Sequence, residues 1–191
     1  MDSDHQYRFQ TALYQADASV NRHWVAPSSS SSGMKQEPLK PNGGEDAQSR
    51  DILAQLHQQQ LLIVNSRSRN GLILYKRYYA EFAGPGASVG GMFDLDCQRV
   101  LPVGKISLVH PESPDERQRA YLIRRQWIRL TKQITDNPVP LQRAQMILNQ
   151  FEGFFDAQTI AEIPDEAFAL LVGVFPSTIR KVRHTRDRLD I

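Results

Sequence analysis

The sequence predicts a mainly α-helical fold with a multi-helix domain at its C-terminal end. Three observations support this prediction. Helix-capping residues recur from Ser113 onward, apolar residues follow them at helical spacing, and a serine run sets the first residues apart. In the middle the sequence allows a small β-hairpin. The composition of the first 48 residues predicts a disordered N-terminal arm and a flexible linker.

Composition places the chain among globular proteins with tails. Of its 191 residues, 40% are hydrophobic and 23% are charged, which is enough to form a core but not along the whole length. The net charge is only +2. A role in nucleic-acid binding must therefore depend on where the basic residues lie, not on their total.

The chain carries features expected of a cytoplasmic protein. Cys97 is the single cysteine, so no internal disulfide is expected, and the N-terminal residues are polar and acidic. No apolar run approaches the roughly 18–20 residues that span a bilayer. We predict a cytoplasmic, nucleoid-associated protein without a membrane partner.

Residues 1–48 are polar and divide into two parts. Residues 1–26 carry one narrow apolar stripe and read either as a disordered arm or as a short partner-binding helix; the stripe comprises Phe9, Leu13, Ala16 and Val20. Residues 27–48 contain a serine run with glycine and proline, which predicts a linker.

Residues 49–112 predict a mixed helical and strand segment. A helix is expected from Asp51 to about Val64. The stretch from Leu72 to Phe82 fits a helix slightly better than a strand, and glycines mark a plain loop over 84–91. The stretch from Arg99 to Val109 predicts a bent strand or a hairpin.

Residues 113–191 predict a helical domain with clear local signals. Ser113 can cap a helix that begins at Pro114, and Glu116 completes a capping box. A second helix follows from about Pro140 and ends at Gly153. Three short helices come next, after Asp156, from Pro164 to Val172, and from Pro176 to about Leu189.

The last two of these helices match the requirements of a helix-turn-helix over about 164–189. Ala169 provides a small residue where the helices touch, and Gly173 tolerates the positive φ of the turn. Ile179 and Val182 form an inward stripe on the second helix. A plain helical hairpin, in which the glycine is only a helix cap, is the alternative.

The outward side of the final helix is basic, which indicates a DNA-reading surface. The residues predicted to contact DNA are Ser177, Thr178, Arg180, Lys181, Arg183, His184 and Arg186. Cations near a helix C-terminus are also stabilising in themselves, so a solvated face is the alternative reading.

A second set of residues is predicted to contact phosphates or a protein partner. It comprises Arg124, Arg125, Arg129, Trp127 and Phe175. Phe175 occupies the cap of the last helix, where a small polar residue is usual, and it is expected to pack inward or to point toward a partner.

Three runs in this region resemble cyanobacterial regulators of the HetZ and PatU kind, which act in heterocyst differentiation and patterning. The runs are Leu141-Gln142-Arg143-Ala144-Gln145, Ile163-Pro164-Asp165-Glu166-Ala167 and Leu171-Val172-Gly173-Val174, and the resemblance covers about Tyr121 to Arg183. It implies a transcription-linked protein that works beside another regulator of its pathway.

Two functions follow as hypotheses. The first is a DNA-binding transcription regulator that contacts double-stranded DNA. The second is an interaction module, presenting Phe175 and Trp127 in an exposed patch, that binds a HetZ-like regulator or a second copy of the chain.

No catalytic grouping, metal site or cofactor is predicted, and we expect no enzyme. Asp94 and Asp96 read as a surface turn, and Cys97 as a small buried residue.

Overall fold

The computed structural model describes the backbone over residues 45–187 and the side chains over residues 47–185. The predicted N-terminal arm and the linker up to residue 44 lie outside the described residues. The described residues belong to one compact unit.

The described part is a mixed α/β structure of six helices and two small antiparallel sheets, so a mainly helical fold is only partly correct. Its helices are α1 (Glu45–His57), α2 (Pro114–Thr135), α3 (Pro140–Glu152), α4 (Ala157–Glu162), α5 (Asp165–Val172) and α6 (Pro176–Asp187). Its strands are β1 (Leu61–Val64), β2 (Gly71–Tyr75), β3 (Ala80–Ala83), β4 (Ser88–Gly90), β5 (Arg99–Val103) and β6 (Leu108–Val109).

Each sheet has three strands, with β1 at the centre of one sheet and β2 at the centre of the other. One sheet has the order β4-β1-β6, and the other has the order β3-β2-β5. In the second sheet Ile73 pairs with Phe82 on one side and with Leu101 on the other. β2 is therefore covered along both of its edges.

The helix predicted over Leu72 to Phe82 is wrong. β2 and β3 form an antiparallel hairpin there, and every residue of β2 is buried. A strand buried on both faces reads as one continuous apolar run, which periodicity cannot tell from a buried helix. The strand reading is the correct one.

The first helix was predicted too far along the chain. It begins at Glu45, inside the predicted linker, and it ends at His57 instead of about Val64. Gln59 then adopts a positive φ of 61°, and the next apolar run, Leu61–Val64, forms β1. Pairing with distant β4 and β6 decides the conformation of β1.

Two further expectations for the middle segment need correction. The residues from Arg99 to Val109 form no hairpin, because β5 pairs with β2 and β6 pairs with β1 in the other sheet. The predicted plain loop over 84–91 includes β4.

The predicted helices from Pro114 onward are confirmed, the last of them as far as Asp187, where the described backbone ends. The Ser113 side chain accepts a hydrogen bond from the Glu116 amide, as expected of a cap. The Glu116 carboxylate accepts from the Glu112 amide at 2.7 Å, so the second bond of the predicted capping box lies one residue before the cap and not at Ser113. Asp156 caps α4 by accepting from the Thr159 amide at 2.8 Å.

An aromatic cluster joins the second sheet to the helices. Phe82 of β3 lies with its ring centroid 5.1 Å from Trp127 of α2 and 4.9 Å from Phe151 of α3. Phe151 in turn contacts Phe168 of α5, at 4.9 Å between centroids. Gly84 is required beside this cluster, because a Cβ there would lie 2.3 Å from the Trp127 ring. The segments over 49–112 and 113–185 therefore share one core.

Among the described residues, none of the helices is both long and apolar enough to cross a membrane.

Candidate functional site

The C-terminal helices α5 and α6 meet at a sharp turn. Gly173 ends α5 in the left-handed conformation, with φ 63° and ψ 49°. The amides of Gly173 and Val174 both donate to the carbonyl oxygen of Ala169. The expected backbone reversal at Gly173 is therefore confirmed.

The inner faces of the two helices pack together around small and branched residues. Ala169, Phe168 and Val172 of α5 are buried, as are Ile179 and Val182 of α6. These residues have the spacing that the sequence analysis required of an inward stripe. They hold α6 against the core by one side only.

The outer face of α6 is exposed over two turns. Ser177, Arg180, Lys181 and His184 are all exposed, at a spacing that puts them on one side of the helix. Thr178 is half-buried. Arg186 lies in α6, but its side chain is outside the described residues.

Phe175 lies in the turn itself and is 78% exposed. Its carbonyl oxygen accepts a hydrogen bond from the Thr178 amide at 2.9 Å. Of the two orientations expected for Phe175, the structure shows the outward one. The first turn of α6 therefore begins beside an exposed aromatic ring.

Arg183 does not share the open face of α6. Its guanidinium donates to the carbonyl oxygens of Ile163 and Ile160, at 2.8 and 3.2 Å. It also lies 3.2 Å from the Asp165 carboxylate and 5.2 Å from the centroid of the Phe168 ring. The expected outward placement of Arg183 is wrong, because the end of α4 and the start of α5 offer it acceptors.

Arg180 keeps a looser contact with the same carboxylate. Its Nε lies 3.3 Å from Asp165 Oδ2, while 65% of the side chain remains exposed. Ion pairs of this exposed kind are worth little in water. Arg180 is therefore free to exchange Asp165 for another anion.

The predicted contact residues of α2 differ in how far their side chains are exposed. Arg125 is exposed and Arg129 is half-buried, whereas Arg124 is buried and Trp127 is only 5% exposed. The expected exposed patch containing Trp127 is wrong, because the indole packs against Phe82 in the core. Arg124 also points inward.

Arg124 belongs to a buried group of charges that the sequence did not reveal. Its guanidinium contacts Glu81, Asp94 and the carbonyl oxygen of Ser88. Lys76 Nζ donates to buried Asp94 at 3.0 Å, and it also contacts the exposed carboxylate of Asp96. Asp94 is 2% exposed, so the predicted surface turn is wrong for this residue. These groups come from separate parts of the chain, and no sequence spacing connects them.

The electrostatics of this region agree with a structural role. Burial alone would lower the pKa of Lys76, but its hydrogen bond to Asp96 and the charge of Asp94 outweigh burial, and the pKa is raised. Burial raises the pKa of the Cys97 thiol to about 11. Cys97 is buried, as expected, and its thiol is protonated at neutral pH.

Within residues 47–185, no group of three or more His, Cys, Asp or Glu side chains could hold a metal ion.

No protein-family model matches the chain, and no curated protein and no solved structure is significantly similar to it.

Proposed function

We propose that α5 and α6 form a helix-turn-helix that binds double-stranded DNA, and that the protein is a transcription regulator and not an enzyme. The observation that carries this proposal is the one-sided placement of α6. Ile179 and Val182 are buried, while Ser177, Arg180, Lys181 and His184 face solvent. A helix anchored along one side can enter the major groove with the other.

The exposed side chains suit the chemistry of a DNA groove. Arg180 and Lys181 can bind guanine edges or phosphates, and the hydroxyl of Ser177 can donate to either. Arg183, held by Asp165 and two carbonyl oxygens, orients α6 instead of contacting DNA. The proposed DNA surface is therefore smaller than the sequence suggested.

The resemblance to HetZ and PatU regulators adds a biological setting to the proposal. It suggests a role in cyanobacterial heterocyst differentiation or patterning, beside a HetZ-like partner or as a homodimer. A DNA-binding role would place the protein at the nucleoid.

The test is fluorescence anisotropy of the full chain with labelled duplex DNA at several salt concentrations. Replacing both Arg180 and Lys181 by alanine removes two cations from the open face. We expect weaker binding and a shallower dependence of log affinity on log salt. The slope should change by about 2, because each phosphate that a cation neutralises contributes roughly 0.9 to it.

The matched control is the double replacement of Arg67 and Lys105 by alanine. Both residues are exposed and lie in loops between strands. This variant removes the same charge and should keep the parent affinity and slope. If both double variants bind DNA as the parent does, or lose affinity equally, α6 is not the DNA surface.

Phe175 favours a second candidate function, a protein-interaction module. Its side chain is 78% exposed at the entrance of α6, and burial of this ring against a partner protein would remove apolar surface from water. Under this alternative, Phe175→Ala abolishes binding of a HetZ-like partner, and the chain shows no salt-dependent affinity for DNA. Tight DNA binding that Phe175→Ala leaves unchanged would contradict it.

A further inference from the structure

We propose that the exposed face of α2 is a docking surface for an acidic amphipathic helix of a partner protein. We call this surface the α2 docking face; it comprises Met92, Phe93, Tyr121, Leu122, Arg125 and Ile128. The proposal goes beyond DNA binding by α6 and does not depend on it.

The α2 docking face exposes large apolar side chains next to one another. Tyr121 and Ile128 lie seven residues apart on one side of the helix, and Leu122 is beside them, each at least 39% exposed. Phe93 continues this surface, because its ring centroid lies 5.2 Å from that of Tyr121. Contiguous exposed apolar groups mark interaction sites more often than scattered ones do.

Two hydrogen bonds anchor the backbone beside Met92 and Phe93, at one end of this face. Lys76 Nζ donates to the Phe93 carbonyl oxygen at 3.0 Å, and the Gly90 amide donates to the Asp94 carboxylate at 2.7 Å. These bonds clamp the single turn Gly91–Phe93 on both sides. Met92 and Phe93 stay 79% and 65% exposed although their backbone is anchored. Because this backbone is already anchored, little backbone entropy is lost on binding.

The charge around the apolar groups is mainly basic. Arg117, Arg119 and Arg125 are exposed, and no acidic residue occurs between positions 117 and 128. The nearest exposed carboxylates along the chain are Asp115, seven residues before Leu122, and Asp96, three residues after Phe93. Electrostatic complementarity therefore calls for an acidic partner. The apolar side chains call for a partner with an apolar face, and an amphipathic helix provides both.

Two other occupants fit this face less well. A DNA backbone would meet the arginines but would leave Met92, Phe93 and Ile128 against charged phosphates. A second copy packed with its twofold axis at Arg125, within this face, would bring Arg125 against the Arg125 of that copy. A protein helix with acidic residues along its flanks meets neither difficulty.

The experiment selects peptides on the full chain from two displayed libraries of amphipathic helices. Both libraries vary the apolar face, and one carries glutamate on the polar face where the other carries lysine. We expect enrichment from the glutamate library alone. Leu122→Asp and Arg125→Glu should each weaken binding of the selected peptides by about tenfold or more, as at a binding hot spot.

The control for position is the Arg180→Ala and Lys181→Ala double variant, which should bind the selected peptides as the parent does. Leu122 and Arg125 are exposed, so both variants should keep the parent unfolding curve. Anisotropy with duplex DNA, measured on the same variants, separates this proposal from DNA binding by α6.

Three results would overturn the proposal. The first is equal enrichment of both libraries or of neither. The second is binding of selected peptides that both α2 variants leave unchanged. The third is concentration-dependent self-association, by sedimentation, that Leu122→Asp abolishes while no peptide binds, since this face would then hold a second copy.

Discussion

Helices α2 and α6 carry similar sequence patterns, but the fold uses their arginines differently. On α2, Arg124 turns inward to Glu81 and Asp94, while Arg125 stays in solvent. On α6, Arg183 is held by Asp165 and two carbonyl oxygens, while Arg180 is mostly exposed. Each helix thus has an arginine that supports the fold and a neighbour that is open to a partner. What decides between these roles is whether acceptors from other elements face the helix at that position.

The largest expected effect is at Arg124. Arg124→Ala removes the cation beside the Glu81 carboxylate and takes one of two cations from buried Asp94, which keeps Lys76. We expect a loss of about 3 kcal/mol in the free energy of unfolding. Urea denaturation measures this loss. Arg125→Ala, on the adjacent exposed position, should stay within about 0.5 kcal/mol of the parent. Equal stability of the two variants would show that Arg124 supports the fold no more than Arg125 does.

A smaller effect is expected at Arg183. Arg183→Ala removes hydrogen bonds from a charged group to Ile163 and Ile160, which we expect to cost about 2 kcal/mol. Arg183→Lys should not restore the stability, because one ammonium nitrogen cannot replace both Nη2, which donates to the two carbonyl oxygens, and Nε, which faces Asp165.

Arg180→Ala is the matched control on α6, and it should change stability little while weakening DNA binding. If Arg183→Ala instead unfolds like the parent and loses DNA affinity as Arg180→Ala does, then Arg183 contacts DNA. The comparison within α6 would then fail.

The smallest effect concerns the turn that orients α6. Gly173→Ala places a Cβ at a φ of 63°, where a side chain is strained, and should cost about 1 kcal/mol. Gly153 also follows a helix, but its φ is −68°. Gly153→Ala should therefore leave stability unchanged or raise it slightly. Thermal unfolding of both variants checks this difference, and an equal response would mean that the left-handed turn is not what distinguishes Gly173.

The sequence predicted an element correctly where nearby residues determine it, and failed where residues far along the chain determine it. The bounds of α2 to α6 depend on residues within or beside each helix, such as Ser113, Asp156 and Gly173. The prediction for the middle segment failed because β1 pairs with β4 and β6, which lie far along the chain. Apolar runs such as that of β2 are compatible with either conformation until a partner is present.

The candidate sites divide in the same way. The inward stripe of α6 and the open positions of Ser177, Arg180, Lys181 and His184 follow from helical periodicity, and the sequence predicted them. The inward turn of Arg183 depends on acceptors in α4 and α5, which periodicity does not locate. The exposure of Phe93 beside Tyr121 depends on a short turn held by Lys76.

By itself, the sequence determined where the later helices begin and end and where the chain reverses at Gly173, because caps and left-handed turns are local. Only the tertiary structure decided which strands pair and which arginines are available. Arg124 and Asp94 are thirty residues apart in the chain, yet a 3.4 Å contact joins their charged groups. A charge buried in this way needs an opposite charge beside it, and only the folded chain brings the two together.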